Sequence, residues 1–159
     1  MDGWSIPWFR FLFPIGLYTV LKFFYVFPET EPFGIKNEAV RKKIVKMLVA
    51  NDGALDSFPM LCVLELLKIS KFIRKKERMK KVTAPILLFH SIKDDLTSVK
   101  SAESVYNNIS SESKTFIKLD NSYHLITLDN DKDFVAKKTI EFIKNISGSQ
   151  VNEIEESYV

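Results

Sequence analysis

Glycine is scarce in this sequence, and its spacing excludes one kind of catalytic turn. The glycines are Gly3, Gly16, Gly34, Gly53 and Gly148, and no two of them lie four residues apart. A G-x-S-x-G turn needs that spacing, because small residues let a strand turn sharply into a helix and expose the serine. These 159 residues therefore contain no serine nucleophile of that type.

Cysteine and net charge are also low. The single cysteine, Cys62, excludes an internal disulfide and is typical of a reducing compartment, which predicts a cytoplasmic protein. Because Cys62 lies within the apolar run 60–64, we expect a buried small apolar residue rather than a nucleophile. A formal net charge of +3 is too small to predict a nucleic-acid partner.

The most informative stretch, residues 85–129, alternates strands with loops. Residues 84–90 form a short apolar run without alternation, which is typical of a strand buried on both faces of a parallel sheet. Apolar side chains at helical spacing predict a helix over 99–109. The alternation over 115–119 predicts a half-exposed edge strand.

Ionisable side chains follow both predicted strands. Asp94 and Asp95 come where the first strand should end, and His124 comes a few residues after the second. An acid after one strand and a histidine after the next is the order of the acid and base arms in a Ser-Asp-His triad. The stretch therefore predicts the acid and histidine of such a triad.

This stretch resembles the C-terminal part of the α/β-hydrolases, and within them the carboxylesterase and monoacylglycerol-lipase branch of serine hydrolases. The resemblance depends on Asp94, on Ser101-Ala102, on Tyr106-Asn107, on Ile109-Ser110 and above all on residues 121–129, NSYHLITLD.

The resemblance implies that Asp94 is the catalytic acid and His124 the general base. Counting back from Ser101-Ala102 selects Asp94 over Asp95, which is then a loop carboxylate. His90, at a strand end, is expected to be structural.

The fold class implied is α/β, a partial α/β-hydrolase fold with a helical cap before the last two parallel strands and their helices. We expect residues 1–82 to form the cap or lid-like region and residues 83–147 the C-terminal β-α-β-α part of the core. The last helix should end at Ser147-Gly148-Ser149, and residues 148–159 should form a flexible acidic tail.

Strands one to six, the nucleophile turn and the oxyanion loop of a complete hydrolase have no counterpart in this sequence. The partner expected is therefore an N-terminal hydrolase half that carries the serine, with an ester or acylglycerol as substrate of the intact enzyme. Triad residues act as a unit, so these 159 residues alone should not hydrolyse esters.

Adjacent acids after a strand also raise the possibility of a Mg²⁺ site at Asp94 and Asp95. Such a site needs a further acid and a lysine or hydroxyl from other strand ends, and the sequence offers none placed to supply them. No metal and no cofactor are predicted.

Residues 4–27 are the most apolar part of the chain, and three interpretations stay open. A membrane-spanning helix has nearly the right length, but Arg10, Lys22, Pro7 and Pro14 interrupt it. A helix lying on a membrane surface is the second, and a pair of cap helices around an acyl pocket or a plain core is the third. A signal peptide fits poorly, because no small-residue cleavage site follows.

Two more helices are predicted before the first strand of the core. Asn37 can cap one that Asn51-Asp52-Gly53 ends, and Asp56 or Ser57 begins another that runs to about Lys76. The end of the second lies in a basic run over 68–81, which is either a solvated helix end or a patch for anionic lipid or nucleic acid.

Two classes of function follow. The first is the C-terminal portion of a carboxylic-ester hydrolase. The second is a non-enzymatic remnant or a small interaction protein that uses its apolar N-terminal region on a membrane surface or a partner.

Overall fold

The computed structural model describes residues 15, 19–24, 26–28, 31–50 and 57–156. A 3-10 turn spans Val20–Phe23, and the strands are β1 (Val26–Pro28), β2 (Ser57–Pro59), β3 (Ile86–Ser91) and β4 (Lys114–Leu119). The α-helices are α1 (Glu38–Val49), α2 (Met60–Ile73), α3 (Lys76–Met79), α4 (Val99–Asn108) and α5 (Lys132–Glu156). The strand-helix-strand-helix order predicted after residue 83 is confirmed.

The two core strands pair in parallel. Their register runs from Ile86 opposite Lys114 to Ser91 opposite Leu119, and α4 makes the connection between them. Parallel strands need such a crossover, because the chain must return to the same end of the sheet. The predicted α/β arrangement is therefore confirmed, and the loops after β3 and β4 leave from the same end.

β3 is less buried than its sequence predicts. Residues 86–90 are half-buried and Ser91 alone is fully buried, although the run is apolar on both faces. In the described part of the chain, β4 is the one strand that pairs with β3. Among the residues that the structure describes, one edge of this apolar strand therefore has no partner strand.

Helices pack against both core strands. The apolar core includes Ala102 in α4, Ile109 directly after it, Leu119 at the end of β4 and Val135 in α5. Tyr106 of α4 lies over Phe116 of β4, with 5.7 Å between ring centroids.

The helix expected from Asp56 or Ser57 to about Lys76 begins and ends elsewhere. Residues 57–59 instead form β2, which pairs antiparallel with β1, and α2 starts at Met60. Proline favours an extended residue before it, and Pro59 is itself extended at ψ 144°. The helix then ends at Ile73, and Lys75 is extended before the short α3.

Asn37 caps α1 as predicted. Its side-chain oxygen accepts the backbone N–H groups of Ala39 (3.0 Å) and Val40 (3.2 Å). The predicted stop at Asn51-Asp52-Gly53 lies outside the described residues, and α1 ends at Val49. Most of the apolar segment 4–27 also lies outside them. None of the helices in the described ranges is long and apolar enough to cross a membrane.

The predicted end of the last helix is wrong. α5 continues through Ser147-Gly148-Ser149 to Glu156, so the boundary placed at residue 148 falls inside the helix. A single glycine inside a helix costs only about 1 kcal/mol, and the polar and charged residues that follow are compatible with a helix. A helix already fixed by packing near Val135 can therefore continue past this sequence.

The edge of β3 that has no partner strand within the described ranges generates a prediction for the 159-residue chain. A two-stranded sheet is marginal by itself, and an apolar edge recruits further strands. We expect the purified chain to self-associate, with a sedimentation coefficient that rises with concentration. A monomer at all concentrations with one sharp cooperative melt would contradict this expectation.

Candidate active site

The loop after β3 fixes one carboxylate with its own backbone. Asp94 Oδ1 accepts the N–H groups of Leu96 (2.8 Å) and Thr97 (2.8 Å), and Oδ2 accepts the Thr97 hydroxyl at 3.0 Å. Short side-chain-to-backbone turns of this kind are a common use of aspartate in loops. The Asp94 side chain is only 5% exposed, and its own loop holds both carboxylate oxygens in place.

His124 contacts that carboxylate from the loop after β4. Its Nδ1 lies 2.9 Å from Asp94 Oδ2, and its side chain is 38% exposed. The structure thus brings His124 to Asp94 rather than to Asp95. The described residues give His124 Nε2 no hydrogen-bond partner, so this nitrogen is open to accept a proton.

The electrostatics keep Asp94 ionised. Burial alone would raise the pKa of Asp94, but the Thr97 N–H, the His124 imidazole and the Leu96 N–H outweigh it and hold the pKa below its ordinary value. The carboxylate is therefore charged at neutral pH and accepts the Nδ1–H of His124, leaving Nε2 as the basic nitrogen.

A second buried carboxylate anchors the histidine loop. Asp129 is 1% exposed and accepts four backbone N–H groups. The donors are Lys36 (2.6 Å), Asn37 (2.9 Å), Tyr123 (2.8 Å) and Asn130 (2.9 Å). Burial would raise the pKa of Asp129, and these N–H groups lower it below its ordinary value. One side chain thus joins the start of α1 to the residue before His124.

Gly34 packs directly against the histidine loop. Its carbonyl oxygen accepts the Leu125 N–H at 2.8 Å, and its φ is +67°. A Cβ at this position would lie 2.9 Å from the His124 Cβ. Only glycine allows both the left-handed backbone and this close approach.

Two buried serines connect the loops that carry Asp94 and His124. The Ser91 hydroxyl donates to the Ser122 carbonyl and accepts the Lys93 N–H at 3.0 Å. The Ser122 hydroxyl in turn donates to Asp131 Oδ2 at 2.8 Å. Both serines are fully buried, so the ends of β3 and β4 are tied together next to the acid and the histidine.

Sequence reasoning missed these supporting residues. Asp129 stood within the quoted 121–129 block, but nothing in a single sequence says that it bonds to residues 36 and 37. Thr97, three residues after Asp94, was the one detectable signal, because a residue at that spacing can close a turn on an aspartate.

The other candidates do not join this site. Within the described residues, Asp95 forms no hydrogen bond or ion pair with His124, and its buried Oδ1 has no hydrogen-bond partner. Cys62 is exposed, so the expectation of a buried residue is wrong: the buried stripe of α2 is Met60, Val63 and Leu64, and Cys62 lies on the opposite side. No group of metal-ligating side chains occurs among the residues that the structure describes.

Several cations of the basic run have partners within the chain. Lys68 pairs with Glu65 at 2.7 Å, and Arg74 donates to the Ser101 hydroxyl at 2.9 Å. The Arg78 guanidinium lies 2.9 Å from the centroid of the Phe72 ring. Such contacts are expected where the end of a helix packs against neighbouring residues of the same chain.

Comparison with known proteins identifies a family whose profile matches this part of the chain. Residues 32–131 match the profile described as serine aminopeptidase, S33. The thermostable monoacylglycerol lipase of Bacillus sp. (strain H-257) is 28% identical over 95 residues, which is 60% of this chain and 37% of that lipase. The chain thus spans well under half of this relative.

Solved structures agree on the fold. One from work on the metagenome-derived lipolytic enzymes LipS and LipT is 30% identical, with a TM-score of 0.54 over 58% of this chain and 37% of its own. The Paleococcus ferrophilus monoacylglycerol lipase is 14% identical, with a TM-score of 0.63 over 89% of this chain and 54% of its own. A soluble variant of Saccharomyces cerevisiae monoglyceride lipase is 14% identical, with a TM-score of 0.64 over 86% of this chain and 48% of its own.

The close approach at Gly34 predicts a position-specific effect of alanine. Gly34→Ala should lower the free energy of unfolding by about 1–2 kcal/mol from the left-handed backbone alone, and the His124 contact adds to this. Gly148→Ala is the matched control, because nothing lies within 4 Å of its added Cβ. It should stabilise α5 by about 0.5–1 kcal/mol. Urea denaturation measures both, and equal effects of the two substitutions would contradict the prediction.

Asp129 predicts a pH dependence of stability. Its folded pKa is lowered, so its contribution is present above the unfolded pKa of about 4 and is lost as pH falls through the folded value. Asp129→Asn should cost about 3 kcal/mol at neutral pH, because one amide oxygen cannot serve four donors. Between neutral and acid pH, the Asp129→Asn variant should lose less stability than the unsubstituted chain.

The exposed Asp120 supplies the control for this measurement. Asp120→Asn should leave both the neutral-pH stability and its acid dependence nearly unchanged. Urea midpoints at several pH values distinguish the variants. An acid dependence that Asp129→Asn leaves intact would show that the carboxylate does not act as described.

Proposed function

Because the chain belongs to the serine aminopeptidase S33 family, whose profile covers more than half of it, we propose that it carries the acid and the histidine of a carboxylic-ester hydrolase. In this proposal Asp94 is the catalytic acid and His124 the general base. The observation that carries it is the 2.9 Å contact between Asp94 Oδ2 and His124 Nδ1 at the ends of two adjacent parallel strands.

The chemistry follows from the roles of the two nitrogens of His124. A serine hydroxyl attacks the ester carbonyl while Nε2 takes its proton, and the resulting imidazolium is stabilised by the Asp94 carboxylate at Nδ1. The same proton is then given to the leaving alcohol. Water repeats the sequence on the acyl-enzyme and releases the acid. Asp94 stays ionised throughout, in keeping with its lowered pKa.

The serine comes from outside these 159 residues, either from other sequence of the same polypeptide or from a second chain. The absence of two glycines four apart and the short coverage of the Bacillus lipase both support this. Without the nucleophile, the acid and the histidine contribute almost nothing, since triad members act as a unit. The 159 residues alone are then inactive.

The proposed substrate class is a carboxylic ester, with acylglycerols as the first candidates. This rests on the names of the relatives, a monoacylglycerol lipase and a lipolytic enzyme at 28% and 30% identity. The His124 side chain is 38% exposed and its Nε2 faces no described partner, so a nucleophile and an ester can approach it.

A chimaeric enzyme tests the proposal. The 95-residue segment of the Bacillus lipase that aligns with this chain is replaced by the matching stretch of this chain, and the rest is kept. We expect hydrolysis of a short-chain nitrophenyl ester and of a monoacylglycerol. His124→Ala should lower kcat by about a million-fold and Asp94→Asn by about 10⁴-fold.

Asp95→Asn is the matched control, because it makes the same chemical change one residue away. It should leave most of the turnover intact, since Asp95 does not contact His124. Turnover that survives His124→Ala, or equal loss from the two aspartate variants, would overturn the assignment. A folded chimaera without any turnover would favour the non-enzymatic class of function.

A further inference from the structure

A second histidine lies near the same carboxylate oxygen of Asp94 that His124 contacts. His90 is near the end of β3, and its side chain is 11% exposed. Its Nδ1 is 2.7 Å from the Ser91 carbonyl oxygen, and its Nε2 is 3.1 Å from Thr97 Oγ1 and 3.6 Å from Asp94 Oδ2. The sequence contains no other histidines than these two.

The chemistry of the neighbours decides where the His90 proton is. The Ser91 carbonyl oxygen can only accept a hydrogen bond, so Nδ1 must carry a proton at 2.7 Å. A neutral imidazole has one N–H, which leaves Nε2 as an acceptor. The tautomer of His90 is thus fixed by the backbone of the residue that follows it.

The Thr97 hydroxyl then has one proton and two acceptors. Its oxygen lies 3.0 Å from Asp94 Oδ2 and 3.1 Å from His90 Nε2. While His90 is neutral, the hydroxyl can donate to only one of them. When His90 gains a second proton, Nε2–H donates to Thr97 Oγ1 and the hydroxyl is free to donate to Asp94. While neutral His90 accepts the Thr97 proton, Asp94 Oδ2 keeps the His124 Nδ1–H as its donor; once His90 is protonated, Oδ2 can accept from both His124 and Thr97.

The charges around His90 come from three sides. Asp94 is the closest, and His124 contacts the same carboxylate oxygen. Lys118 lies opposite His90 in the β3–β4 register, and its ammonium pairs with Glu103 of α4 at 2.6 Å. Because that pair is internally balanced, the Asp94 carboxylate is the charge that acts on His90 at shortest range.

We propose that His90 is a positioning residue for Asp94: acting through Thr97, its protonation decides whether the Thr97 hydroxyl donates to the carboxylate that holds His124. Asp94 Oδ2 accepts from both Thr97 and His124, so strengthening one donor weakens the other. The effect of His90 on catalysis rests on the proposed function, whereas the arrangement of protons on His90, Thr97 and Asp94 does not.

Nitrogen-15 NMR of the full chain tests the arrangement directly, because only two imidazoles contribute signals. We expect the Nδ1–H tautomer for both histidines in their neutral form. The His90→Gln and His124→Gln variants assign them. If the chain associates through the β3 edge, magic-angle-spinning spectra of the sedimented protein report the same two rings. An Nε2–H tautomer for His90 would overturn the proposal.

Two substitutions at Thr97 separate positioning from packing. Thr97→Val keeps the side-chain shape but removes the hydroxyl, and Thr97→Ser keeps the hydroxyl. In Thr97→Val, His124 becomes the stronger donor to Oδ2, so its Nδ1 proton signal should move downfield, while Thr97→Ser should restore the original position. An unmoved His124 signal in Thr97→Val would overturn the proposal, since a purely structural threonine would give that result.

Kinetics of the chimaera separate the two proposals. Thr97→Val should lower kcat with KM unchanged, and Thr97→Ser should retain it. A chimaera without turnover, together with the expected NMR shifts, would reject the proposed function and leave the proton arrangement standing. The reverse result, an active chimaera with an Nε2–H tautomer for His90, would reject the positioning role alone.

Discussion

The candidate site depends on one buried carboxylate. Asp129 has almost no contact with water, and four backbone N–H groups replace its hydration. Two of the donors precede α1 and two belong to the histidine loop. A buried charge is tolerated only when it is paired or fully hydrogen-bonded, so the two segments must meet for either to be stable. The position of His124 is a consequence of that requirement.

Much of the core could be predicted from the sequence because its signals are local. An apolar run predicts β3, a helical pattern predicts α4 and an alternating run predicts β4. Because the two strands are parallel, the loops that follow them lie at the same end of the sheet. The contact between Asp94 and His124 follows from this topology together with the family resemblance. These features need no knowledge of distant contacts.

What could not be predicted depends on residues that are far apart. The Gly34–His124 approach and the bonds from Lys36 and Asn37 to Asp129 join residues about ninety positions apart, and no local pattern indicates them. The β1–β2 pair is held by three residues on each side, too few for alternation to be visible. For α5 the local pattern is misleading. Residues 147–149 predict the end of the helix, but the helix formed by the preceding residues continues through them.

The separation of Asp129 from its donors has a consequence for the order of folding. The bond from the Lys36 N–H spans 93 residues, and closing so long a loop costs entropy that local contacts do not. The β3–α4–β4 unit can assemble through short-range contacts, whereas the histidine loop gains its anchor only after the segment before α1 arrives. We therefore expect Asp94 to be oriented early in folding, by its own turn, and His124 late, when the segment before α1 reaches Asp129.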